Sequence, residues 1–213
     1  MNNKRRKRFV LTHSSSKKYK GWSCIYNYQA NIHGVNYKGA TFTNDKFQSS
    51  IITGCNFKES KLIGIDFTHC NMKKSKFDGA TFDSVTFFNC NIKDVNFNGA
   101  KFKNVFFISM DISKAMNLPE TGYTIINSYP TINNPILENS VLKLAERNSF
   151  LRYHVLNISA NKINKWYLSI LINKYGSAYD ISRALKALYN RKNRRDFITL
   201  FSYTEYLDSY FKV

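Results

Sequence analysis

From residue 32 to residue 112 a large apolar side chain returns at every fifth position, and this beat limits the possible fold more than any other feature of the chain. The series is Ile32, Tyr37, Phe42, Phe47, Ile52, Phe57, Leu62, Phe67, Met72, Phe77, Phe82, Phe87, Ile92, Phe97, Phe102, Phe107 and Ile112, seventeen positions without a slip. Neither the helical period of 3.6 nor the strand period of two produces an unbroken spacing of five.

Two residues before each centre the side chain is mostly small, as at Ala30, Ala40, Ser50, Cys55, Cys70, Ser75, Ala80, Cys90 and Ala100. The residue between them is often Asn or Asp, as in Ala30-Asn31-Ile32, Cys55-Asn56-Phe57 and Val95-Asn96-Phe97. Residues 30 to 114 therefore resemble the pentapeptide-repeat family, whose pattern is A-[DN]-[LF]-x-x. The resemblance implies a β-solenoid, a right-handed quadrilateral β-helix of about four coils, with the centre and the preceding small residue facing inward. Residues 20 apart should then stack in columns, and the sequence agrees. Column 47/67/87/107 is Phe throughout, column 37/57/77/97 is Tyr, Phe, Phe, Phe, and column 32/52/72/92/112 is aliphatic. Four coils at ~4.8 Å make a prism of roughly 20 Å whose ends need caps. Phe9, Val10, Leu11, Trp22, Ile25 and Tyr26 are the expected plug at the first coil. Cys70 and Cys90 share an inward column and are read as matched small core residues in the reduced state.

The remaining three positions of each repeat face outward. Lysines are spread over three faces, mixed with Glu59, Asp78, Asp83 and Asp94, which is an ordinary solvated surface. The fourth face places Phe88, Phe106 and Ile108 at outward positions, an apolar patch that calls for a cover. Docking of the C-terminal helices is the expected cover, with a homodimer interface as the second reading.

Beyond Pro119, Pro130 and Pro135 the period becomes helical. Leu137, Val141, Leu144, Leu151 and Val155 form one stripe. A second helix is expected from a cap at Asn161 to Gly176, a third from the Ser177 and Asp180 capping pair, and a fourth from Asn193 to Phe211. The expected organisation is a basic arm over 1–20, a cap over 21–29, the repeat β-helix over 30–118, a linker over 119–135, and a small α-helical bundle or cap over 136–213.

The charge is lopsided, with 32 Lys+Arg against 14 Asp+Glu and a formal net charge of +18. Residues 1 to 20 carry eight bases and no acid, led by Lys4, Arg5, Arg6, Lys7 and Arg8. A second concentration comprises Arg191, Lys192, Arg194 and Arg195, preceded by Arg183 and Lys186. Clusters of this kind favour polyanions through counterion release. His13, His33, His69 and His154 are scattered, no pair has metal-ligand spacing, and the glycines follow the repeat, so no catalyst, metal or cofactor is expected. No apolar run reaches the ~18 residues of a membrane span.

These features point to a non-enzymatic binding protein acting at DNA, RNA or a nucleic-acid enzyme. The resemblance adds protection of gyrase and topoisomerase IV as a role of some family members, through acidic imitation of duplex DNA. A surface of +18 does not imitate DNA, so protection here would run through direct contact with the topoisomerase or with its nucleic acid. The alternative is a structural or interaction scaffold, such as a secreted host-directed effector or a phage or viral component. The bacterial cytoplasm is the expected compartment; Lys4 to Arg8 leave a secretion or nuclear address open.

Overall fold

Each repeat turns its corner in the left-handed backbone region. In the computed structural model, which describes residues 9–12, 17–192 and 195–212, positive φ recurs at every fifth residue from 34 to 109. Six of these sixteen corners are glycine, and the rest are mostly Ser or one of Asn, Asp and His, the non-glycine types most enriched in this region. Four corners close a coil of 20 residues, so each segment lies parallel to the one 20 residues on. Thr41 registers with Lys61, Lys61 with Thr81 and Thr81 with Lys101, and the adjoining face repeats the arrangement from Lys46 to Asp66 to Thr86.

The solenoid has about six turns rather than about four. The face through Phe47, Phe67, Phe87 and Phe107 is a six-stranded sheet built from Tyr26–Tyr28, Lys46–Gln48, Asp66–Thr68, Thr86–Phe88, Val105–Ile108 and Tyr123–Ile126. Its two end strands fall outside the apolar beat. Phe107 registers with Ile125, a step of 18 residues in place of 20, so counting by fives passes over the last rung. At the other end Val10–Thr12 pairs with Asn31–His33.

The interior is a stack of rings. Phe47, Phe67, Phe87 and Phe107 follow one another at centroid separations of 5.3, 5.2 and 5.1 Å, with ring planes within 16°. Trp22 plugs the first coil edge-on, 5.6 Å from both Tyr37 and Phe42. Leu11 and Tyr19 pack beside the core, whereas Phe9, Val10 and Ile25, expected in the plug, are exposed. At the other end Phe102, Ile112, Ala115, Leu118 and Tyr123 close the stack. The thiols of Cys70 and Cys90 are free and donate to the carbonyls of Phe47 and Phe67 in the coil before.

Gly122 makes the last rung possible. Its φ is +90°, and a Cβ there would lie 2.1 Å from the Phe102 carbonyl oxygen. Gly122→Ala is therefore expected to cost about 1–3 kcal/mol and to free Tyr123 from the end of the core. Thermal unfolding with near-ultraviolet circular dichroism reads both effects; an unchanged melt would contradict the close approach.

The chain forms two compact units, Met1–Asn127 and Ser128–Val213. The second contains α1 (Pro135–Leu144), α2 (Asn148–Leu151), α3 (Lys165–Tyr175), α4 (Ala178–Asn190) and α5 (Leu200–Phe211). Asn134 and Asn164 cap α1 and α3 by accepting from Leu137 and Tyr167 backbone N–H groups, while Gly176 ends α3 and Ser177 caps α4. The α3 cap is thus Asn164 rather than Asn161, because an antiparallel pair, Asn157–Ser159 with Lys162–Ile163, occupies the segment before it. α5 begins at Leu200, where Thr199 and Ser202 form a reciprocal capping box; the start expected at about Asn193 lies outside the described residues. Leu137, Val141, Leu144, Leu168, Leu171, Leu185, Leu188 and Leu207 are buried in this unit.

Candidate polyanion-binding face

The helical unit answers each of its carboxylates with one cation. Glu138 pairs with Lys165, Glu146 with Lys143, Asp180 with Arg183, Asp196 with Arg152, Asp208 with Lys174, and Glu205 with Arg195. These six acids are all that residues 128 to 213 contain. Besides Lys162 and Lys212, which lie elsewhere in the unit, Arg147, Lys186, Arg191 and Lys192 have no carboxylate within ion-pair reach among the described residues.

Those four cations gather where α1 and α4 end. Arg191 caps α4, its N–H donating to the carbonyls of Ala187 and Leu188. Its own carbonyl accepts from Arg147 Nη1 at 2.9 Å, so Arg147 offsets the negative end of the α4 dipole. The Arg147 guanidinium lies 4.6 Å from the Tyr189 ring centroid and the Lys143 Nζ 5.4 Å from it, two cations held against one ring. The Arg191 guanidinium lies 5.5 Å from the ring of Tyr206. Glu146 accepts from Lys143 Nζ at 2.7 Å and from the Tyr189 hydroxyl at 2.8 Å. The Lys143 ammonium, followed by that hydroxyl, holds its carboxyl below the usual range.

A groove of about 510 Å³ opens along this face, lined by Ile136, Asn139, Ser140, Lys143, Lys186, Tyr189 and Asn190. Helical spacing explains the lining. Positions 136, 139, 140 and 143 form one stripe of α1, and 186, 189 and 190 one stripe of α4. Ser140 lines the floor and rests on the buried Ser182: their hydroxyls approach to 2.5 Å, and the Ile136 carbonyl lies 2.8 Å from the first and 3.3 Å from the second.

The expected contact residues separate on this map. Arg191 and Lys192 stand exposed on the face. Arg195 is ion-paired with Glu205, so its charge is already answered. Lys4, Arg5, Arg6, Lys7, Arg8 and Arg194 lie outside the described residues. Lys186, named in the sequence only as a neighbour of the cluster, and Arg147, Asn139 and Asn190, not singled out there, belong to the face. The signal was the polar stripe of α1, which the apolar stripe beside it overshadowed.

On the solenoid, Phe88 and Phe106 are half-buried and Ile108 is buried. The same outward face buries a polar row, Lys46, Asp66 and Thr86, in which the Thr86 hydroxyl donates to Asp66 Oδ1 at 2.8 Å. Burial pushes the Lys46 ammonium down, and the Asp66 carboxylate opposes that shift.

Among the described residues no three His, Cys, Asp or Glu side chains are grouped to hold a metal, and no helix is long and apolar enough to cross a membrane.

Residues 30–107 match the family model described as pentapeptide repeat region. This segment is thus a pentapeptide-repeat β-solenoid, in a chain that continues into a helical unit. It is similar to a pentapeptide repeat protein from the Arabidopsis thaliana thylakoid lumen, at 28% identity over 44% of this chain and 67% of that one, TM-score 0.38. A second similar structure is HetL from the cyanobacterium Nostoc, involved in heterocyst differentiation regulation, at 16% identity over 40% and 46%, TM-score 0.22. A third is QnrB1, a plasmid-mediated fluoroquinolone resistance protein, at 10% identity over 57% and 92%, TM-score 0.23. No curated protein sequence matches the chain at a significant level.

Proposed function

We propose that this chain is a non-enzymatic nucleic-acid-binding protein whose helical unit meets phosphates through Arg147, Lys186, Arg191 and Lys192, with Lys4 to Arg8 adding a second basic element. One observation carries the reading: every acid of the helical unit is paired, and of the six described cations left over, four, Arg147, Lys186, Arg191 and Lys192, belong to the end of α1 and α4, with Lys162 and Lys212 elsewhere. Unanswered cations displace counterions from a polyanion, and each such contact adds about 0.9 to the salt slope on duplex DNA. Protection of a topoisomerase is a finer form of the same role, exercised through cations in place of acidic imitation.

The test is a titration of duplex DNA and structured RNA across a salt series. Lys186→Glu combined with Lys192→Glu changes two exposed side chains and is expected to weaken binding at least about tenfold at 0.1 M salt, with a slope lower by about two. A chain starting at Phe9 reads the arm in the same way. Binding that ignores both changes would sink the proposal and leave the scaffold reading.

A further inference from the structure

Building on the nucleic-acid reading, we propose that the groove between α1 and α4 is a subsite for one unstacked nucleotide of a single strand, its phosphate held by Lys186 and its base read by Asn139 and Asn190. About 510 Å³ lies within the usual range of small-ligand sites, roughly 300–1,000 Å³. The lining of the groove is chemically mixed. Lys186 supplies a cation with no carboxylate beside it among the described residues. Asn139 and Asn190 each present a carboxamide, a donor and an acceptor side by side, which is the complement of a base edge. Both are exposed, and among the described residues neither carboxamide has an internal hydrogen bond. The floor is different: the Ser140 hydroxyl is engaged beneath the groove with Ser182 and the Ile136 carbonyl, so it offers mainly shape. Ile136, 53% exposed, makes an apolar lip against which a base or sugar can pack.

The geometry favours a single strand over a duplex. In a duplex the base faces are stacked and the Watson–Crick edges paired, so a whole base enters a groove between two protein helices only after leaving the stack. The Tyr189 ring is held against the Arg147 and Lys143 cations. Recognition therefore runs through base edges rather than through stacking on that ring.

The experiment uses the full chain and fluorescence anisotropy with a labelled single-stranded RNA of about twelve nucleotides and a duplex of the same length. Ile136→Trp fills the groove from an exposed position, and Asn190→Ala removes one amide without touching charge. Ile136→Trp is expected to weaken the single strand at least tenfold and the duplex less than twofold, with Asn190→Ala weakening the single strand at an unchanged salt slope. Single-strand affinity within twofold of the parent in both variants, or equal losses for both nucleic acids, overturns the subsite and leaves the broader reading standing. If the parent binds neither nucleic acid at low salt, the broader reading falls. Nuclear magnetic resonance with a nucleoside monophosphate then judges the groove alone: shifts of the Asn139 and Asn190 side-chain amides support it, and their absence overturns it.

Discussion

Phe77→Ala is expected to destabilise the solenoid by about 3–5 kcal/mol, the range seen for emptying a packed aromatic site. Phe77 is fully buried. Its ring stacks on Phe57 at 4.7 Å and 8° and under Phe97 at 5.6 Å and 12°, with Phe82 tilted against it at 5.3 Å. Such rings contribute beyond their area, by about 0.5–1.5 kcal/mol per pair. The cavity cannot close by collapse, because the rungs above and below are pinned by backbone hydrogen bonds, Phe57 N to Lys76 O at 2.7 Å and Phe77 N to Asn96 O at 2.8 Å. Urea unfolding followed by tyrosine and tryptophan fluorescence measures the loss. A cost below about 1 kcal/mol would mean that the column yields where these hydrogen bonds say it holds.

The second large effect concerns Asp45, a carboxyl in a column that is otherwise aliphatic further along the solenoid. It occupies the inward position whose later counterparts are Ile65, Val85 and Val105, and it is 0% exposed. Oδ1 accepts from the Ile25 N–H at 2.8 Å, while Oδ2 has no hydrogen-bond partner among the described residues. Burial pushes this carboxyl up to about 7, against smaller opposing contributions from the Ile25 and Thr43 backbone. An unfolded Asp titrates near 3.9, so between about pH 4 and pH 7 the folded state holds a proton that the unfolded state has released. The stability associated with Asp45 is complete below about pH 4, falls as pH rises to about 7, and is flat above it. Asp45→Asn removes this dependence. It is expected to raise stability at pH 8 by up to about 4 kcal/mol, at 1.36 kcal/mol per pH unit, with little change at pH 4. Unfolding midpoints of parent and variant at several pH values give the difference directly; a difference that does not grow between pH 4 and pH 8 would contradict the buried, ionisable state.

The repeat was legible because each pentapeptide encodes its own corner, its own inward pair and its place in a column. What escaped notice depends on relations the beat does not carry. The rung at Tyr123–Ile126 joins by an 18-residue step, and the Asn157–Ser159 and Lys162–Ile163 pair hides in a stretch whose apolar spacing resembles the start of a helix. Gly176 and Ser177 announced the ends of α3 and α4 because caps are local chemistry. The candidate face was half visible. Arg191 and Lys192 stood out as charge, but the pairing of Arg195 with Glu205, ten residues on, depends on how α5 packs. Asn139 and Asn190 come to line one groove only when α1 meets α4, a relation between residues about fifty positions apart.

The 20-residue register makes the prism a graduated scale. Excising residues 67–86 would bring Phe87 directly after Asp66 and stack it on Phe47, the same ring meeting the same neighbours. Loss of five residues would instead slide every later column one face around, placing aliphatic centres where phenylalanine stacks. Duplication or loss of genetic material is therefore tolerated in whole coils, each changing the length by about 4.8 Å and leaving the cross-section as it was.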